Sequence, residues 1–206
     1  TDRTDGLHAS GLCKAFAGVQ ALDDVSLSLP YGQVTALMGE NGAGKSTLLK
    51  ILDGDYQPDR GEVRIDGTPS VFANPFDARR AGLRVVAQEP EIVPFVTVAE
   101  NLFLGALPGR VMVKRDELRD RAQSAIEEFG FARMLRADTR GADLAPAQRQ
   151  LVEILRCLID EPRILCFDEP TSSLSDAETD VLFGLIERLR SDGKAIGYVS
   201  HRLREI

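Results

Sequence analysis

Residues 39–47 read Gly-Glu-Asn-Gly-Ala-Gly-Lys-Ser-Thr, which fits the pattern G-x-x-x-x-G-K-S/T. Spacing of this kind does one job well. Glycines let backbone N–H groups turn inward around a polyphosphate, and the following helix N-terminus adds partial positive charge. Lys45 then neutralises the terminal phosphates, and Ser46 can ligate Mg²⁺. The candidate binders of a nucleoside triphosphate are therefore Asn41, Gly42, Ala43, Gly44, Lys45, Ser46 and Thr47. The plainer alternative is a glycine-rich turn that happens to precede a helix.

Three further positions could serve the same chemistry. Gln88, the pair Asp168-Glu169 and His201 each end an apolar stretch that reads as a strand, and strand ends are where α/β sheets present ligand groups. An apolar strand delivering Asp then Glu suits phosphate hydrolysis: one carboxylate holds Mg²⁺ through its water shell while the next orients and deprotonates the attacking water. Taken singly, Gln88 is equally a solvated strand end, Asp168-Glu169 a turn, and His201 a surface or core imidazole. Their order and spacing around a phosphate loop favour the joint reading.

The elements that must position these groups follow from periodicity. Val34–Met38 reads as a buried strand entering the loop, and Leu48, Leu49, Ile51 and Leu52 as the helix leaving it, with Gly54 as its stop. The first thirty residues alternate loosely and end at Pro30-Tyr31-Gly32, a layer of short strands and turns. Within it Phe16 sits beside turn residues, either as core or as an exposed ring. Residues 62–67 alternate as a strand, 77–81 form a short helix, and 83–87 form a second buried strand.

Helical patterns then cover 97–103, 114–129 (Leu118, Ala122, Ala125, Ile126 and Phe129 on one face) and 146–159. They interrupt the α/β alternation and read as an inserted helical subdomain. The alternation resumes with a strand at 163–167, a helix opened by the capping box Ser175/Glu178, and a strand at 195–199.

Bulk properties bound the options. A chain of 206 residues, 43% apolar and 28% charged, makes a domain with a real core. A formal charge of -7, with basic residues scattered among acids, argues against a nucleic-acid partner. Cys13, Cys157 and Cys166 are odd in number and form no CxxC pair, as suits small buried hydrophobes in a reducing compartment. No apolar run approaches the ~20 residues that span a bilayer, which predicts a cytosolic or membrane-peripheral chain. Thr1 at one end and a helix-like start over 202–206 at the other suggest a piece of a longer protein.

These residues together resemble the ATP-binding cassette (ABC) ATPases over nearly the whole chain. In that likeness 39–47 is the Walker A loop, Ile164–Asp168 followed by Glu169 the Walker B strand, Gln88 the Q-loop and His201 the switch histidine. Residues 98–105 (Val-Ala-Glu-Asn-Leu-Phe-Leu-Gly), 150–154 (Gln-Leu-Val-Glu-Ile) and 200–206 (Ser-His-Arg-Leu-Arg-Glu-Ile) are similar to the first cassette of tandem-cassette sugar importers. The resemblance implies an α/β fold: a P-loop NTPase (RecA-like) core with an N-terminal antiparallel β layer and an inserted helical subdomain. Residues 1–87 would carry the β layer and Walker A part, 88–160 the helical subdomain, and 161–206 the Walker B, D-loop and switch part.

It further implies Mg²⁺ on Ser46, Gln88 and Asp168, catalysis by Glu169, His201, Gln88 and Lys45, and adenine stacked on Phe16. Expected partners are a second cassette in the same full-length chain, transmembrane permease subunits meeting Gln88 to Leu104, and indirectly a solute-binding protein. The implied location is the cytoplasmic face of the cell membrane, peripherally bound.

Two departures stand out. Where the family carries Leu-Ser-Gly-Gly-Gln to reach the γ-phosphate on the opposite cassette, this chain has Leu144, Ala145, Pro146, Ala147 and Gln148. Ala145 has no hydroxyl and Pro146 no N–H, and each lost charge-assisted hydrogen bond is worth roughly 1.5–3 kcal/mol. Alternatively, Pro146 simply starts a helix where proline is welcome. Ser175 stands where the family often has Asp, and its capping box is reason enough for it. The leading expectation is an ATP-hydrolysing subunit that energises sugar import. A nucleotide-dependent interaction module with little hydrolysis and a soluble non-transport ABC ATPase are the competitors.

Overall fold

In the computed structural model, residues 6–40, 42–104 and 114–205 are described; Asn41, Gly105 and Ile206 of the sequence reading lie outside them. Two compact units divide the chain. One contains the described residues up to Val86, Pro162–Glu169 and those from Ile186 onward; the other contains Ala87–Glu161 and Pro170–Leu185.

The first unit holds two sheets. β1 (Gly6–Phe16) and β2 (Val19–Pro30) form a long antiparallel pair, and β4 (Arg60–Ile65) and β5 (Thr68–Ser70) extend it in the order β2-β1-β4-β5. The second sheet is wholly parallel. It runs β3-β8-β7-β6, where β3 is Val34–Leu37, β6 Leu83–Val86, β7 Ile164–Asp168 and β8 Ala195–Val199. All five residues of β7 and all five of β8 are buried, because both strands are flanked on each side by another strand. β3 corrects an expectation. The sequence suggests a buried strand, yet β3 alternates between exposed and half-buried, with Val34 40% and the following Met38 47% exposed. The reason is position: it is the edge strand of its sheet, paired as a strand with β8 alone among the described residues, while its Thr35 hydroxyl donates to the Ser28 carbonyl of β2 at 3.3 Å.

Helix α1 (Lys45–Asp53) buries Leu48, Leu49, Ile51 and Leu52, the face expected from their spacing, in a core shared with Leu7, Leu12 and Leu29 of the antiparallel sheet and Leu83, Ile164 and Val199 of the parallel one. Truncating fully buried Leu52 to alanine would cost about 2–5 kcal/mol. Helix α2 (Pro75–Arg80) starts at Asn74, whose side chain accepts the N–H groups of Phe76 and Asp77.

In the second unit, α3 (Val98–Phe103) opens with a complete capping box. Thr97 Oγ1 accepts the Glu100 N–H at 3.2 Å, and Glu100 Oε2 accepts the Thr97 N–H at 2.8 Å. It packs with α4 (Arg115–Glu128) and α5 (Pro146–Leu158). Leu118, Ala122 and Ile126 of α4 are buried as expected, but Phe129 is only partly covered. The chain reverses at Gly130, and Phe131 fills the core instead, its N–H donating to the Ile126 carbonyl. The start of α6 (Asp176–Ser191) is the anticipated capping box, with Ser175 Oγ donating to Glu178 Oε2 at 2.7 Å.

Candidate nucleotide site

The phosphate loop joins β3 to α1. Gly44 is the N-cap of α1 with φ 87°, and a Cβ added there would sit 2.4 Å from the Ala21 carbonyl oxygen and 2.8 Å from Leu22 Cδ2. Only glycine combines that left-handed turn with so close an approach to β2. The N-cap Gly44 has no side chain to cap α1, which leaves the N–H groups of its first turn without a cap from that position, as an anion site requires. Gly42 and Ala43 are exposed and Ser46 is open to solvent. Lys45 Nζ donates to the carbonyls of Gly39 at 2.6 Å and Glu40 at 3.0 Å, folding its charge back over the loop.

Asp168 closes β7 and is 8% exposed. Its carboxyl is held above the ordinary range, chiefly because burial strips it of water; the hydroxyl of Ser46 hydrogen-bonds to it and opposes that rise, the charge of Glu169 adds to it, and Lys45 and Lys50 oppose it. An ionised Asp168 is thus short of positive charge just where the loop's serine reaches it.

Glu169 follows with a left-handed backbone, φ 46°, unusual for a residue with a Cβ. That conformation persists because its N–H donates to the Val199 carbonyl at 3.1 Å and its Oε2 lies 3.1 Å from His201 Nδ1. Parallel pairing sets this up: Asp168 lies beside Val199 in the β7–β8 register, so the residues leaving both strands emerge side by side. Lys45, Ser46, Asp168, Glu169 and His201 therefore all belong to one unit.

Gln88 lies two residues past β6, exposed, and belongs to the other unit. Phe16 ends β1, 39% exposed, with its ring edge-to-face against Tyr56 at 5.1 Å and Lys14 Nζ 5.5 Å from its centroid. Exposure resolves the two readings of Phe16 in favour of an available ring. In the stretch Leu144 to Gln148, Leu144 is buried while Ala145 and Pro146 are exposed. Pro146 is the first residue of α5, and Gln148 is engaged locally: its Oε1 accepts the Ala145 N–H at 3.0 Å and its Nε2 donates to the Met134 carbonyl at 2.7 Å.

Sequence reasoning placed Gln150 in a family-like stretch but gave it no role. It is fully buried in α5, its Nε2 donates to the Ala87 carbonyl beside Gln88 at 3.2 Å, and its Oε1 is buried without a hydrogen-bond partner. A polar residue inside an otherwise apolar helix face was the available signal. All three cysteines are buried thiols outside any disulfide, and burial pushes the Cys166 thiol up to about 12, consistent with inert packing.

The donor set fits a hard divalent cation held with a polyphosphate. Among the described residues no three His, Cys, Asp or Glu side chains gather as a metal cage. A serine hydroxyl bonded to an under-neutralised aspartate matches the way Mg²⁺ takes one or two protein oxygens and completes its shell with phosphates and water.

Comparison with known proteins agrees with this geometry. The ABC transporter family matches residues 22–172. The chain is 48% identical over 206 residues to the ribose import ATP-binding protein RbsA 2 of Mesorhizobium japonicum, covering 99% of this chain and 41% of that protein. It is 49% identical over 201 residues to the arabinose import ATP-binding protein AraG 1 of Burkholderia cenocepacia, covering 97% and 40%. The chain thus spans about two fifths of the length of these relatives.

Among solved structures, a nucleotide-free ATP-binding cassette from an ABC transporter superposes with TM-score 0.85 at 26% identity, covering 97% of this chain and 83% of that one. The dimeric post-hydrolysis state of the cassette MJ0796 bound to ADP and Pi gives 0.82 at 26% identity, covering 97% and 89%. A phosphate loop, a paired Walker-type carboxylate and histidine, and a family match over most of the sequence leave one assignment: the chain belongs to the ABC transporter family.

Proposed function

We propose that this chain binds ATP with Mg²⁺ and hydrolyses it to energise the import of a sugar or similar small solute. The observation that carries the reading is the cluster of Lys45, Ser46 and Asp168 with the Glu169–His201 pair in one unit. Import and sugar rest on the names of the relatives, which act in ribose and arabinose import.

In this mechanism Gly42 to Thr47 hold the phosphates through backbone N–H groups, and Lys45 swings from the Gly39 and Glu40 carbonyls onto the terminal phosphates. Ser46 and Asp168 would hold Mg²⁺, with Gln88 added on the family resemblance alone, and the ion when bound would neutralise phosphate charge as it develops. Glu169 takes a proton from the attacking water. His201 Nδ1 fixes that carboxylate and keeps its direction as the proton arrives. Phe16 stacks the adenine.

The site is completed by a partner cassette in the longer chain, with permease subunits meeting the region Gln88 to Leu104 at the cytoplasmic face of the membrane and a solute-binding protein acting through them. Phe95 in that region is 89% exposed. Among the described residues no helix is long and apolar enough to cross a membrane. In this reading residues 88–160 are the helical subdomain, inserted in sequence between residues 1–87 and 161–206 of the ATPase core.

A second reading, a nucleotide-dependent interaction module, is favoured by one observation: Ala145 and Pro146 face solvent where a hydroxyl and an N–H would be wanted. Both readings are compatible with an asymmetric cassette pair in which ATP held here meets the partner's signature. Turnover by the assembled transporter with Glu169→Gln decides between them. Hydrolysis requires a loss of about 10²–10⁴-fold; an unchanged rate would support the binding module.

A further inference from the structure

His201 is held by the backbone on either side of it, and that backbone is held by one carboxylate. Glu205 closes a 3-10 turn, Leu203–Glu205, and its side chain is 8% exposed. Its Oε2 accepts the Ser200 hydroxyl at 2.7 Å and the Tyr198 hydroxyl at 3.1 Å, while Arg202 Nη1 lies 3.5 Å from its Oε1. Ser200 Oγ in turn accepts the Arg202 N–H at 2.9 Å. The neighbours of His201 on both sides are thus tied to Glu205, and Tyr198, buried in β8, ties Glu205 to the sheet.

Burying a carboxylate this deeply is expensive when packing is its only return, since an amide or an apolar side chain would fill the space at lower cost. The acceptor capacity of a charged carboxylate, shared by two hydroxyls and a guanidinium, is what this turn uses. His201 itself is half exposed, so its ring depends on that backbone to meet Glu169.

We infer that Glu205 is a positioning residue for His201: by clamping Ser200 and Arg202 it keeps the imidazole against the Glu169 carboxylate, and it acts on the chemical step without touching substrate. The inference rests on the hydrolytic reading above. The test uses the full-length protein in its assembled transporter and compares Glu205→Ala, Glu205→Gln, Tyr198→Phe, His201→Ala and the Glu205→Ala/His201→Ala double variant.

A misplaced catalytic group can cost ~10²-fold, so Glu205→Ala should lower kcat about 10- to 100-fold while the KM for ATP stays within about 2-fold. Glu205→Gln keeps an acceptor for both hydroxyls and should recover kcat to within about 3-fold of wild type. Tyr198→Phe should fall between them. In the His201→Ala background the Glu205→Ala change should alter kcat by less than about 2-fold, because nothing is left to position.

Losses that multiply in the double variant, a KM that rises as kcat falls, or a Glu205→Ala protein with wild-type turnover would each overturn the assignment. Should Glu205→Ala fail to fold, Glu205→Gln and Tyr198→Phe decide it, since unchanged turnover in Tyr198→Phe together with an equal loss of kcat and ATP affinity in Glu205→Gln contradicts it. A wild-type assembly that binds ATP without turning it over would defeat the hydrolytic reading and this inference with it, an outcome distinct from the others.

Discussion

Asp168→Asn should make the chain more stable and less able to use Mg²⁺, and the two effects have the same origin. The substitution preserves shape and an oxygen for the Ser46 hydroxyl but removes a charge from a position 8% exposed to solvent. Burial is the main reason that the Asp168 carboxyl titrates above its ordinary value of 3.8, with the Glu169 charge adding to it. The sign follows from proton linkage. Between the unfolded and folded pKa values the native state binds more protons, so stability falls as pH rises through that window, and above the folded pKa the full penalty applies.

Burying an ion costs several kcal/mol even after relaxation, and with the Ser46 hydroxyl, Lys45 and Lys50 offsetting most of that cost we expect a gain of about 1 kcal/mol for Asp168→Asn near pH 7. In a chain of this size that raises Tm by roughly 2–4 °C. Urea unfolding across a pH series is the assay, and the gap between variant and wild type should close as pH falls towards 3.8. Saturating Mg²⁺ with a non-hydrolysable ATP analogue should reverse the ranking, because ligand at 100 times its Kd adds about 2.7 kcal/mol only to the protein that binds it. An Asp168→Asn protein that is less stable at pH 7 without ligand, or a gap that widens in acid, would refute the electrostatic argument.

Three other outcomes follow from the same structure. Phe16→Ala should weaken ATP binding by about 1–3 kcal/mol while leaving inorganic triphosphate binding unchanged, as measured by calorimetry; equal losses for both ligands would remove Phe16 from the adenine site. Gly44→Ala forces a Cβ against the Ala21 carbonyl at 2.4 Å in a left-handed turn, so thermal unfolding should show a loss of about 2 kcal/mol or more and nucleotide binding should fail.

Asp66 shows the opposite pH behaviour to Asp168. Although burial pushes its carboxyl up, hydrogen bonds from Arg163, the Gly6 N–H and Tyr31 hold it below the usual range. Its contribution is therefore present above the unfolded pKa and lost as pH falls through the folded one. The Asp66–Arg163 pair is more than a third exposed on both sides, so Asp66→Asn should cost only about 0.5 kcal/mol at pH 7 and nothing in strong acid.

What the sequence made legible was local. The phosphate loop could be recognised because glycine spacing, the strand before it and the helix after it all lie within 20 residues. The capping box at Ser175 is likewise written within four residues, as is the one at Thr97 that the sequence reading passed over. Features that depend on distant partners were harder to see. Val34–Met38 is apolar enough to read as buried, but nothing in those residues says that β3 sits at a sheet edge. Phe129 has the right helical phase and loses its place to Phe131 because Gly130 turns the chain between them. Gln150 meets Ala87 across 63 residues, a separation that no periodicity encodes. Glu205 is nearer, but in sequence it resembles any charged residue in a solvated helix, and only the Tyr198 and Ser200 hydroxyls reveal it as buried.

The pairing of β3 with β8 has a consequence for how this molecule is made. The strand that carries the phosphate loop leaves the ribosome early, but its hydrogen-bonded neighbour spans Ala195–Val199. At ~5–20 residues per second the loop's strand waits on the order of ten to thirty seconds for that partner. Throughout that interval the nascent chain carries an unpaired apolar edge at Val34–Leu37 and no finished nucleotide cradle. Translation speed and chaperone access between these two strands therefore bear on how much of the chain folds.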